Sequence, residues 1–178
     1  MPRYVAFLRG INVGGHVVKK GKLQETFHSQ GFRNVLTYKQ SGNVIFEACS
    51  GSAEEIKKKI EIKLSHTLGY NVAIFIRTIA QLKDIVASEP FKKQNKEGTS
   101  FLVTFLADAP AKFTIELPTT IPKSTAQIIS EKGTEVFSVT HGGGEGALPN
   151  PFIESKLKAK ATTRNLNVIR EIVEKYGS

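Results

Sequence analysis

Four short runs rich in β-branched and aromatic residues, YVAFL at 4–8, VLTY at 35–38, NVIFEA at 43–48 and VAIFI at 72–76, alternate with two stretches of helical period. In the first stretch Leu23 and Phe27 stand four apart before Gly31 supplies a stop. In the second, Ser52 and Glu55 form a capping-box pattern, Ile56, Ile60 and Leu64 repeat at four-residue spacing, and Gly69 ends the run. VLTY and NVIFEA are separated only by KQSG, where Gly42 permits the positive φ of a tight connection, so they read as a hairpin. The order is βαββαβ. Its compact solution is the ferredoxin-like split βαβ sandwich, with two helices on one face of an antiparallel sheet in strand order 4-1-3-2. The first run is apolar on both sides, Tyr4, Ala6 and Leu8 against Val5 and Phe7, as a central strand covered on both faces must be. The helices cover one face, which leaves the other for residues 78 onward.

In the second half, Thr78 and Gln81 start a helix that Pro90 ends, and KKQNKEG at 92–98 is a polar connector. SFLVTFL at 100–106 reads as a strand, AQIIS and EVFSV flank EKGT as a second hairpin, and prolines at 110, 118 and 122 make the region between irregular. Asn150 and Pro151 open a helix with proline in its first turn. Thr163 is placed to cap a last helix, whose apolar stripe is Leu166, Ile169, Ile172, Val173 and Tyr176. The fold class is therefore α+β. Residues 1–77 form a ferredoxin-like subdomain packed against a second α+β subdomain, 78–178, that ends in a C-terminal helix. A chain of 178 residues is long enough for that arrangement.

Charge is distributed unevenly. Residues 1–77 hold 12 Lys and Arg against 5 Asp and Glu, or +7, whereas residues 78–178 hold 13 against 11, or +2. An anionic partner is the natural match for such asymmetry. The single cysteine, Cys49, reads as a small buried hydrophobe, and its solitary thiol suits a reducing cytosol, so the expected location is cytoplasmic. The run between Arg3 and Arg9 is too short for a signal peptide core or a membrane span, so no membrane association is expected.

The stretch RGINVGGHVVKK at 9–20 raises the question of a phosphate cradle. It fails the P-loop test, because five residues rather than four separate Gly15 from Gly21 and Lys22 is followed by Leu23. Gly10, Gly14 and Gly15 also lack dinucleotide-loop spacing. A glycine-rich loop leading from a strand into a helix can nonetheless point amides at an anion, with the helix dipole and Lys19, Lys20 and Lys22 adding attraction. In a βαββαβ sandwich that loop and the turn between the second and third strands lie at the same end, so RGINVGG and YKQSGN are expected to be neighbours. Arg9, Asn12, Lys39, Gln40, Ser41 and Asn43 then gather beside glycines, a set rich in donors and poor in carboxylates. The four histidines lack metal-ligand spacing, so neither metal nor cofactor is indicated. No nucleophile–base pair stands out, and no catalytic residue is assigned. An RNA-recognition reading of the same strand order lacks its aromatic signature in SGNVIFEA.

LRGINVGG at 8–15, TYKQSGNVIF at 37–46 and ATTRNLNV at 161–168 together resemble the three hallmark stretches of a bacterial family of proteins of unknown function, DUF1697. That resemblance implies a small cytosolic α+β protein with a ferredoxin-like first half and no established activity. Carried across residue by residue, it singles out Arg9, Gly10, Asn12, Gly14 and Gly15, then Gln40, Ser41, Gly42 and Asn43, then Thr163, Arg164 and Asn165. Two departures from the family pattern are Leu166, where relatives commonly carry tryptophan, and GEGALPNPFIESK, where they carry a basic Ser-Lys segment.

The leading functional expectation is a binder of a phosphate-bearing ligand, nucleic acid or nucleotide, using Arg9, the 10–15 backbone, Lys19, Lys20, the 40–43 turn and Arg164. Arg164 is expected to face Arg9 across one cleft. An enzyme acting on a small phosphorylated or carboxylated substrate, and an interaction module whose motif residues fix loops, are the competing classes. Oligomeric state is left open.

Overall fold

In the computed structural model of this chain, residues 1–12, 14–39, 42–94, 97–142 and 148–178 are described. They divide into two compact units, Met1–Leu82 and Lys83–Ser178.

The first unit runs β1 (Arg3–Arg9), α1 (Lys20–His28), β2 (Arg33–Tyr38), β3 (Asn43–Glu47), α2 (Ala53–Leu68) and β4 (Ala73–Thr78). Its sheet has the order β2-β3-β1-β4 and is antiparallel throughout, the order that the sequence pattern predicts. Tyr4, Ala6 and Leu8 of β1 share one core with Leu23 and Phe27 of α1 and with Ile56, Ile60 and Leu64 of α2, so both helices sit on the same face. Phe46 anchors that core, its ring 5.3 Å from Phe27 and 4.8 Å from Phe32. Val5, Phe7, Ile45 and Phe75, on the alternate positions, are also fully buried. The capping box of α2 forms as its sequence predicts, Ser52 accepting from the Glu55 amide, and Gly69 closes the helix with a φ of 79°.

A further helix, α3 (Ile79–Ala87), leaves β4 without a gap, and the division between the units falls within it. The second unit continues with β5 (Thr99–Leu106), β6 (Thr119–Thr120), β7 (Ala126–Lys132), β8 (Glu135–His141), α4 (Asn150–Leu157), β9 (Ala161–Asn165) and α5 (Leu166–Tyr176). Its antiparallel sheet has the order β6-β7-β8-β5-β9. The described chain is thus mixed α+β, with two antiparallel sheets and five helices. On the core side, Ile153 of α4 packs with Leu106, Ile128, Val136 and Ala161. Ser138, fully buried in β8, finds no hydrogen-bond partner for its hydroxyl among the described residues.

Two local expectations are corrected. Thr163 does not cap the last helix, because residues 161–165 are a strand paired with β5. Thr163 lies opposite Thr104, their hydroxyls 2.8 Å apart, and it donates to Asn150 Oδ1 at 3.3 Å, so it is committed to the sheet interior. The cap is Asn165, whose side chain accepts from the Asn167 amide at 2.9 Å. Arg164 accordingly stands on a strand opposite Val103, not in the first turn of a helix. Cys49 is exposed rather than buried, with its sulfur 3.0 Å from that of Met1, because it lies two residues beyond the end of β3 in the connection to α2.

Candidate functional site

β1 and β2 both run antiparallel to β3, so their C-terminal ends lie together. The two connections that leave them are in direct contact. The Leu8 amide donates to the Gly42 carbonyl at 2.7 Å. Gly42 has a φ of 69°, and a Cβ there would lie 3.0 Å from both Ile11 Cγ2 and Leu8 Cβ. The position therefore disfavours other residues twice, by backbone conformation and by contact. The start of the glycine loop at Ile11 and Gly42, just before β3, are neighbours, as the topology requires.

The glycine loop is held by its own polar groups. Gly10, Gly14 and Gly15 all have positive φ, and between the first and the last two Asn12 Oδ1 accepts from the Val18 amide at 2.9 Å. Tyr70 donates its hydroxyl to the Ile11 carbonyl at 2.9 Å, and the His16 ring lies 4.3 Å from the Tyr70 ring. Across the gap, Asn43 is 1% exposed and donates Nδ2 to the Tyr38 carbonyl at 3.0 Å, joining the start of β3 to the end of β2. Lys39 lies with its ammonium 5.6 Å from the centre of the Tyr38 ring.

Between these segments and the start of α1 is a small cleft, partly open to solvent. Ile11, Val18 and Leu23 give it apolar walls, and Asn12, Lys20, Thr37, Lys39 and Asn43 its polar ones. None of the described residues that line it is acidic. At its edge α1 begins at Lys20 with Lys19 in the cap position, no side chain among the described residues capping it and no acid among its first residues. The first-turn amides and the positive end of the helix are thus available to an anion.

Of the residues singled out from sequence, Asn12, Lys20, Gly42 and Asn43 line this cleft together. Gly10, Gly14 and Gly15 shape the loop beside it, and Lys19 is exposed at the helix cap. Arg9, half-buried, ends β1 opposite Ala73 and is not part of the lining. Gln40 and Ser41 lie outside the described residues. Sequence reasoning missed Thr37, Tyr70 and His16. The tyrosine directly after the Gly69 helix stop is the one signal that marks a side chain returning to this end.

Thr163, Arg164 and Asn165 belong to the second unit. Arg164 folds back on its own chain, donating Nη1 to Thr162 Oγ1 and to the Thr163 carbonyl, each at 2.9 Å. Desolvation pushes its pKa down to about 10, which leaves it charged at neutral pH. Among the described residues no three of His, Cys, Asp and Glu gather closely enough to hold a metal, and no helix is long and apolar enough to cross a membrane.

No curated protein matches the chain. Among solved structures it is similar to one described as the conserved bacterial protein SP0830 from Streptococcus pneumoniae, with 17% identity and a TM-score of 0.72 over 100% of this chain and 99% of that one. At that identity the likeness establishes the shared fold alone. Residues 1–137, which include the glycine loop, the cleft, the strands β1 to β7 and the start of β8, match the family described as Protein of unknown function (DUF1697), and the chain belongs to that family.

Proposed function

We propose that the first unit, ferredoxin-like in its strand order and helix placement, binds a phosphate-bearing ligand, a nucleotide or a stretch of nucleic acid, through the cleft beside α1. One observation carries this reading. The uncapped start of α1 opens on a cleft flanked by Lys20 and Lys39 and free of acidic lining residues. The cleft is small enough that it suits one phosphate group rather than a whole base, so the rest of the ligand would lie on the basic surface around it. Lys19 and Arg9 extend that surface on the sequence side of the loop.

The test is a thermal-shift and calorimetric series with inorganic phosphate, a mononucleotide and a short single-stranded oligonucleotide, on the parent and on Lys20→Ala with Lys39→Ala. A ligand at about 100 times its Kd stabilises the fold by about 2.7 kcal/mol, and the double substitution should remove that gain. For the oligonucleotide, the slope of log affinity against log salt should also fall by about one for each phosphate that the two lysines neutralise in the parent. A second reading is favoured by the hydrogen bonds of Asn12 and Asn43, which are spent on closing their own loops. In that reading the motif is a scaffold for an interaction module, and none of the three probes shifts the melting temperature.

A further inference from the structure

The second unit repeats the first. With the two-residue β6 set aside, β5, β7, β8 and β9 are arranged β7-β8-β5-β9, the same permutation as β2-β3-β1-β4. In each unit the first strand lies between the third and the fourth, and the second is beside the third. A helix connects the third strand to the fourth, α2 in one unit and α4 in the other, and another leaves the fourth strand at once, α3 and α5.

Register carries the match to single residues. Val5 pairs with Arg77 on one side and Ile45 on the other, and Val103 pairs with Arg164 and Phe137. On that alignment VAFL at 5–8 lies over VTFL at 103–106, and RTIAQLKDIV at 77–86 over RNLNVIREIV at 164–173. The edge pairing also slips in the same place: just before Leu36, opposite Ile45, and just before Ser130, opposite Phe137. Shared topology alone is common among unrelated sheets. Shared register, a shared bulge position and matching residues at the aligned positions are the marks of a repeat.

We infer that the two units are copies of one segment, and that Arg164 is the counterpart of Arg77, an arginine that folds back on the end of the fourth strand, where the next helix begins, rather than one that grips a ligand. Both arginines donate Nη1 to the carbonyl of the residue before them, Arg77 to Ile76 at 2.8 Å and Arg164 to Thr163 at 2.9 Å. Each directly precedes the residue that caps the helix: Thr78 accepts from the Gln81 amide at 3.1 Å and Asn165 from the Asn167 amide at 2.9 Å. The planar fork of a guanidinium makes such a return contact in a fixed geometry, which the single ammonium of lysine does not reproduce. The copies differ between their first two strands, where the first has α1 and the second has irregular chain with β6. Accordingly the counterpart of Phe46, which packs on Phe27 of α1, is the small Ser138. The cleft beside α1 therefore belongs to one copy only.

Arg77→Lys and Arg164→Lys in the full chain test the assignment. Each should lower the melting temperature by a comparable amount, about 3–8 °C, and neither should change the affinity for inorganic phosphate or for a short oligonucleotide by more than about twofold. The stability comparison stands whether or not any probe binds, so its failure is distinct from failure of the binding proposal. Loss of binding in Arg164→Lys with an unmoved melting temperature would overturn the inference, as would destabilisation by one substitution alone. Exchange of residues 77–86 for RNLNVIREIV, or of 164–173 for RTIAQLKDIV, gives a second measure. A cooperative melt with the parent's circular dichroism in either chimera supports the equivalence, and failure of both contradicts it.

Discussion

A methyl group at position 42 would be crowded. It would press on Ile11 and Leu8 at 3.0 Å while holding a φ of 69° that side chains resist. Gly42→Ala should cost about 1–3 kcal/mol in urea unfolding, and it should weaken any ligand of the cleft, since Gly42 is part of the lining. Glu47 makes a different kind of claim. Arg3 donates Nε and Nη2 to one of its oxygens at 3.1 and 2.8 Å, and Asn34 donates to the other at 2.8 Å. The bonds from Arg3 first, then that from Asn34, hold its carboxyl below the ordinary 4.5. A folded-state pKa below the unfolded one means that the stabilisation is complete above the unfolded value and is lost as pH falls through the folded one. Glu47→Gln should therefore flatten the acid limb of the stability–pH curve below about pH 4.5 and leave its shape near neutrality unchanged. At this scale the sequence showed which residues carry donors but not where the donors go. Asn12 and Asn43 line the cleft and also hold their own segments, Asn12 accepting from Val18 and Asn43 donating to Tyr38.

Elements whose ends are written in local chemistry were legible, and α2 is the clearest, with Ser52, Glu55 and Gly69 all in the expected roles. β9 was not. Its five residues, ATTRN, are as suited to a helix cap as to a strand, and what decides between them is pairing with β5, a partner far away in sequence. Once that pairing is made, Thr163 turns inward to Thr104 and the capping role moves two residues on. Asn165→Ala should then cost about 1 kcal/mol, measured by chemical denaturation. Because the helix starts at Leu166 and Asn165 also ends the strand, hydrogen exchange should quicken at the first amides of α5 and leave those of β5 unaffected.

For the molecule as a whole, the order of the first four strands followed from the hydrophobic pattern because βαββαβ has few compact solutions. The repetition of that order did not follow. The second copy replaces α1 with a proline-bearing segment, so its helical period is absent where the first copy has it, and the likeness in sequence is confined to two short stretches. The basic surplus, too, is concentrated in residues 1–77, the half of the chain that holds the cleft beside α1.

Ser138 is where that divergence leaves a usable margin. A buried hydroxyl without a partner holds a fold below the stability that its packing would otherwise give, by about 1–3 kcal/mol. Ser138→Ala removes the hydroxyl and little else, so the variant should melt at a higher temperature than the parent. In that tougher background substitutions that weaken the protein, Gly42→Ala and the two arginine-to-lysine changes among them, would remain folded at temperatures where the parent carrying them begins to open. Effects on ligand affinity and effects on folding then become separable in a single molecule, through a position that lies in the other unit from the cleft.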